Sequence, residues 1–359
     1  GAEEVSNGSF SQEGSEQIVN GDFSNWTNDN PDNWIVLNED VNNYVTESLS
    51  GGLRMVSDNT ATIQIRQENI ITSGVTYKID VDVTEVISGS IRFQLNNQQQ
   101  VLNTVGSFTF YVTADVSGFF AITRQSACDV TIDNVSVREV GQDWYLGTGW
   151  SIAEDKAVCD GTNSPMDQYS VTTIGKTYKV DITVADMTTS GVTIRLGTSS
   201  SDIIGSIIAN GTYTFYGTVA SSTTFRIRSG AGFDGSVTNI SVKEVGMDWV
   251  LDANWSIAED KAVAENAYLT YLTSNQSLTI GKTYKITYTI SDYVKGGIRY
   301  RGSSSTVGQT RTANGTYTDF LTSDTTLLRF QGTVDDGGFS GSITNISVIE
   351  ITDDTNLPR

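Results

Sequence analysis

The chain of 359 residues contains no histidine. That removes Ser-His-Asp and Cys-His nucleophile systems, histidine-ligated zinc and imidazole acid–base work. There are only three prolines and two cysteines, Cys128 and Cys159. So little proline argues against a proline-rich stalk, and two cysteines make no disulfide framework. Cys159 ends the stretch Lys-Ala-Val-Cys where a later copy has Lys-Ala-Val-Ala264, so this slot asks for a small buried side chain. Basic residues are scarce: 22 Lys and Arg stand against 42 Asp and Glu, a net charge of −20. Phosphate neutralisation needs a basic face, and anionic bilayers need a polybasic patch, so neither nucleic acid nor a membrane is an expected partner. No apolar run approaches the roughly 20 residues of a membrane span. The lysines match no phosphate loop, and the scattered carboxylates single out no acid–base pair. The expectation is a protein that is not an enzyme and requires no cofactor.

What the chain does contain is repetition. Val130-Thr-Ile-Asp-Asn-Val-Ser-Val-Arg-Glu-Val140, Val237-Thr-Asn-Ile-Ser-Val-Lys-Glu-Val245 and Ile343-Thr-Asn-Ile-Ser-Val-Ile-Glu-Ile351 are one strand in three copies. Their glutamates, Glu139, Glu244 and Glu350, are spaced by 105 and 106 residues. Solenoid repeats run about 20–50 residues; this period is that of a whole small domain. The boundaries follow: a polar linker over 1–16, modules over 17–140, 141–245 and 246–352, and a second linker over 353–359. Val5-Ser-Asn-Gly-Ser-Phe10 echoes Val19-Asn-Gly-Asp-Phe23 and reads as the remnant of another module's first strand. The junctions Glu-Val-Gly-Gln-Asp-Trp144 and Glu-Val-Gly-Met-Asp-Trp249 are short, so neighbouring modules are expected at a fairly fixed angle, as a semi-rigid rod.

Within each copy the apolar residues alternate. Tyr178, Val180, Ile182 and Val184 share one face, as do Tyr77, Ile79, Val81 and Val83, and Tyr284, Ile286, Tyr288 and Ile290. Period-2 alternation means a sheet with one dry and one wet face. About eight such strands per copy, separated by Asn-Gly and other turn signals, predict an all-β chain of three tandem antiparallel β-sandwiches of jelly-roll type.

Asn20-Gly-Asp-Phe23 at the opening and Ile132-Asp-Asn-Val-Ser136 at the close resemble the jelly-roll superfamily of carbohydrate-binding modules. The repeated Gly-Trp-Ser-Ile-Ala-Glu-Asp-Lys-Ala157, Thr-Ile-Gly-Lys-Thr-Tyr-Lys179 and Asn-Gly-Thr-Tyr-Thr-Phe-Tyr216 look like modules of bacteriophage tail fibres and other virion appendages. Asp354-Thr-Asn-Leu-Pro-Arg359 resembles a fibre linker that leads into a further module. The resemblance implies a structural virion-surface protein that meets other virion proteins and attaches to a host surface glycan. Homotrimers are common among such fibres, although no coiled-coil heptad marks one here. Two other readings stand beside it: a bacterial surface or secreted glycan-binding adhesin, and a polysaccharide depolymerase.

Sugar-binding modules stack pyranose rings on exposed aromatics, so aromatic residues are the candidates to sort. Trp150 and Trp255 share one slot, and Trp34 in Asn-Trp-Ile-Val reads as its third occupant; Trp144 and Trp249 share another. A residue needed in every copy is a packing residue. The ligand candidates are therefore aromatics found in one copy only: Trp26 and Tyr44 in the first module, Tyr271, Tyr293 and Tyr300 in the third. In the related sugar-binding folds a structural calcium joins the first and last strands, and the resemblance marks Asp22 and Asp133 as its ligands in the first module. Ser24 stands where those families often place an acid, and Thr238 and Thr344 replace Asp133 in the other copies.

Overall fold

The computed structural model describes residues 1–95, 97–302 and 306–352; the expected linker over 353–359 lies outside them. Three apolar cores form, each between two antiparallel sheets. In the second module one sheet orders Trp150–Ala153, Lys156–Asp160, Asp234–Val245, Thr177–Ala185 and Gly211–Thr218. The other orders Tyr145–Leu146, Pro165–Gln168, Phe225–Ser229, Val192–Leu196 and Ile203–Ile207. The first and third modules repeat this plan, with Cys128–Val140 and Phe339–Glu350 in the central place of Asp234–Val245. Alternation explains the layering: Tyr178, Val180, Ile182 and Val184 are all buried, while Lys179, Asp181 and Thr183 between them stay partly exposed. Cys128 and Cys159 are free and each is buried in its own module's core; burial pushes the Cys128 thiol up to about 11.

The closing strand of each module carries the same irregularity. Asn134, Asn239 and Asn345 all take a φ of 51°, and pairing with the neighbouring strand slips at that point in each case. Asparagine is one of the few residues that accept the left-handed region readily. The bulge turns the next amide outward, toward the edge of the sandwich.

Residues 1–16, expected to be a linker, instead close two modules. Glu13–Glu16 is a strand against Arg138–Val140 of the first, and Val5 and Phe10, at 5% and 0% exposure, belong to the core of the second. The two stretches bind in the same way, thirteen residues apart in sequence. Glu16 accepts bonds from the Val137 amide and Ser136 hydroxyl (2.8 and 2.5 Å), as Glu3 does from Val242 and Ser241 (2.6 and 2.6 Å). The Gly21 carbonyl accepts from the Val135 amide at 2.8 Å, and the Gly8 carbonyl from Ile240 at 2.9 Å. A Cβ on either glycine would lie 1.9 Å from the facing carbonyl oxygen, so only glycine fits. Phe23 then turns in against Trp34 (5.5 Å between ring centroids) and Phe10 against Trp144 (5.3 Å). The polar composition of 1–16 hid this, because a one-strand edge needs only two apolar anchors. The "remnant" is the working first strand of the module that follows 130 residues later.

That pairing also corrects one slot. Trp34 is the counterpart of Trp144 and Trp249, not of Trp150. Trp34 and Trp144 donate Nε1–H to the carbonyls of Asn20 and Asn7 (3.0 and 3.1 Å). Trp150 pairs with Cys159, where the first module pairs Asn43 with Ser57. At the junctions, Gly141 and Gly246 take positive φ (75° and 71°) and press on Ile152 and Ile257, so both are built alike.

Candidate functional site

The five aromatic candidates do not converge. Tyr300 is only 7% exposed, and its hydroxyl donates to the Phe320 carbonyl at 3.2 Å. It is a core residue and cannot stack on a sugar; a strand of period 2 starting at Ile298 turns it inward. Trp26 packs against the first core and donates Nε1–H to the Phe23 carbonyl at 2.6 Å. Tyr293 packs beside Phe339 and donates to the Gly296 carbonyl. Tyr44 is half-buried on the wet face of Asn43–Glu47. Tyr271 alone lies among recognition-type groups: Arg329 sits over its ring at 4.8 Å, and Gln331 Nε2 donates to its hydroxyl at 2.9 Å.

Asp22 and Asp133, the calcium candidates, are each engaged by their own loop. Asp22 accepts bonds from the Ser24 amide and hydroxyl, and Asp133 from the Asn134 amide. The two backbones that the ion would join are already joined by the Gly21–Val135 bond. Among the described residues no three His, Cys, Asp or Glu side chains gather in one place.

Sequence reasoning missed the arginines. Nine of the thirteen arginines stand on or at the ends of strands of the second sheet. Residues opposite one another in an antiparallel sheet share a face, so register assembles the site. In the second module Tyr145, Asp167, Arg226 and Arg195 form one cross-strand row, and Pro165, Arg228, Thr193 and Ser206 the next. Arg226 is fixed: it grips Asp167 through two bonds of 2.7 Å and also donates to the Thr198 carbonyl. Asp167 is 1% exposed, a buried carboxylate that this guanidinium neutralises.

Arg195 and Arg228 are in no ion pair among the described residues. Burial, then the neighbouring Arg228 and Arg226, pull the Arg195 guanidinium below its usual value. Desolvation is the larger cause and repulsion between like charges adds to it, with Asp202 acting the other way; a bound anion would relieve the repulsion. The two arginines flank a groove of about 350 Å³ with Thr193, Ser206 and Asn163 on its walls. At the far end of the first row, Tyr145 and Tyr169 are each 55% exposed, with ring centroids 6.1 Å apart. These two tyrosines occur in one copy only, the very criterion that selected the other five. On the matching face of the first and third modules, Arg66, Arg92, Arg299 and Arg329 have buried Nε–H groups with no acceptor among the described residues.

No family model and no curated protein matches the sequence. Among solved structures, the tandem CBM22-1–CBM22-2 domain of Xyn10C from Paenibacillus barcinonensis is 8% identical and covers 65% of this chain and 98% of its own, with a TM-score of 0.28. A chain of Sulfolobus turreted icosahedral virus is 15% identical over 86% of this chain and 89% of its own (TM-score 0.22). A triple jelly-roll protein of an archaeal virus turret is 14% identical over 90% and 96% (TM-score 0.21). The chain is an all-β protein of antiparallel sandwiches.

Proposed function

We propose that this chain is part of a virion appendage, a fibre-type structural protein, whose second sandwich holds acidic glycan of the host surface. The observation that carries the reading is the Arg195–Arg228 groove: two guanidiniums that are in no salt bridge among the described residues, in a protein of net charge −20. Such a pair matches a carboxylate-bearing sugar, a uronate or sialate, with Thr193, Ser206 and Asn163 as hydroxyl partners and Tyr145 and Tyr169 as stacking surfaces. Asp167 is buried under Arg226, and Asp202 is buried and held by the Ser199 amide and the Ser221 hydroxyl, so the site supports holding over cleavage. Single sites of this kind are weak and gain by repetition along a surface.

The test is calorimetric titration of the whole chain with uronate- and sialate-bearing oligosaccharides and their reduced, neutral forms. Saturable binding of the acidic forms, lost at least tenfold in Arg195→Gln and in Arg228→Gln with unchanged melting, supports the reading. Equal binding of neutral and acidic sugars, or none of either, contradicts the site. Recovery in fixed stoichiometry with particles would support a virion protein; secretion without particles would favour the adhesin.

A further inference from the structure

The third module has the receiving half of the strand clasp, and among the described residues no strand is laid in it. Its bulge is intact: Asn345 has the same φ of 51° as Asn134 and Asn239. Thr344-Asn-Ile-Ser-Val348 matches Thr238-Asn-Ile-Ser-Val242 residue for residue. In the first two modules this stretch is covered, Val135 and Ile240 being 4% and 5% exposed and Val137 and Val242 0%. In the third, Ile346 and Val348 are only half-buried and Ser347 is exposed. Trp249, the counterpart of Trp34 and Trp144, is half-buried too, with Phe330 on one side and, among the described residues, no counterpart of Phe10 on the other. Between these residues lies a groove of about 390 Å³, walled by Trp249, Ile257, Leu272, Asn345 and Ile346.

Gly1 stands at the edge of this groove. It occupies the place of Gly14: a Cβ added to either glycine would meet the closing strand at matching glutamates, Glu244 and Glu139. The covered edge of the second module is therefore continuous with the bare edge of the third. In the second module the docked strand runs from Glu3 at Lys243 to Ser9 at Thr238. A strand laid the same way on the third would end beside Gly1.

We propose that this groove is the acceptor for one more peptide strand of the pattern Glu-x-(Val/Ile)-x-Asn-Gly-x-Phe, bound antiparallel to Ile346–Glu350 with its carboxyl end toward Gly1. The Ser347 hydroxyl and Val348 amide hold its glutamate, as Ser241 and Val242 hold Glu3. The Ile346 amide donates to its glycine carbonyl, and its phenylalanine seats on Trp249. One difference sets specificity. Ile349, 51% exposed, replaces Lys243 and Arg138, so the third strand makes no ion pair there and favours an apolar neighbour. Main-chain pairing with side-chain pockets is the physics of strand addition.

The experiment adds a peptide with the sequence of residues 3–12 to the full chain and follows amide exchange at Ile346 and Val348 together with Trp249 fluorescence. A second arm places an extra copy of residues 3–13 directly ahead of Gly1, reproducing the thirteen-residue step. Saturable protection of Ile346 and Val348 in either arm, lost when the peptide's phenylalanine is alanine, is the expected result. A rise in third-module melting in the tethered arm agrees with it. No protection in either arm overturns the proposal. So does dimerisation of the unmodified chain that buries Trp249 and survives excess peptide, which would make a second copy the occupant through other contacts. Arg195→Gln leaves this readout unchanged, so failure of the glycan site and failure of the strand acceptor are told apart.

Discussion

The second and third modules close with nearly the same words, Thr-Asn-Ile-Ser-Val-Lys-Glu and Thr-Asn-Ile-Ser-Val-Ile-Glu, yet their edges differ. Ile240 is 5% exposed, whereas Ile346 is half-buried. The local sequence does not set this. A segment some 230 residues upstream does, by laying Gly8 on the Ile240 amide and Phe10 on Trp144. Burial in a tandem protein is thus decided by which strand arrives, and a repeated motif can be a finished edge in one copy and an open acceptor in the next.

Removing the anchor from the covered edge should make the second module resemble the third. Phe10→Ala deletes a fully buried ring, and such changes cost about 3–5 kcal/mol. The expected result in calorimetry is a lowered second-module transition with the first module's unchanged, and greater solvent exposure of Trp144. Equal loss in both modules would mean that the 1–16 segment acts on them as one unit.

A smaller effect separates the first clasp from the second. In the first, Glu13 is bonded to Lys78 and Arg138 (2.6 and 2.9 Å). Those bonds, Lys78's first, hold its carboxyl below the ordinary 4.5. A lowered folded value means that the contribution is present above the ordinary glutamate range and is lost as pH falls through the lowered value. Among the described residues the second clasp has only the looser Lys243–Glu3 contact at 3.9 Å. Acidification from pH 6 to pH 3 should therefore destabilise the first clasp more, by under about 1 kcal/mol for so exposed a pair. Lys78→Met should remove most of the difference, read from exchange at Val137 against Val242 across the titration.

The fold was legible because alternation and the 105-residue period act within each module. Tyr178 through Val184 declare a half-buried strand without outside help, and the closing motif declares the count of three. The first strand of the second module was legible only as an echo, since no local rule places Val5 and Phe10 on a strand that begins at Asp234. The site was less legible still. Single-copy aromatics were a sound criterion, but it admitted Tyr300, whose inward face depends on register, and passed over Tyr145 and Tyr169. Arg195 and Arg228 become neighbours only through the pairing of Val192–Leu196 with Phe225–Ser229, and sequence alone does not supply that register.

The most direct measurement is residue-resolved amide exchange on the unmodified chain at two pairs of matching positions, Ile240 with Ile346 and Val242 with Val348. Local opening free energy sets exchange protection. If residues 1–10 close the second module and leave the third open, Ile240 and Val242 will be protected by Gly8 and Glu3 while Ile346 and Val348 exchange at least a hundredfold faster. Equal protection of the two pairs would contradict the account.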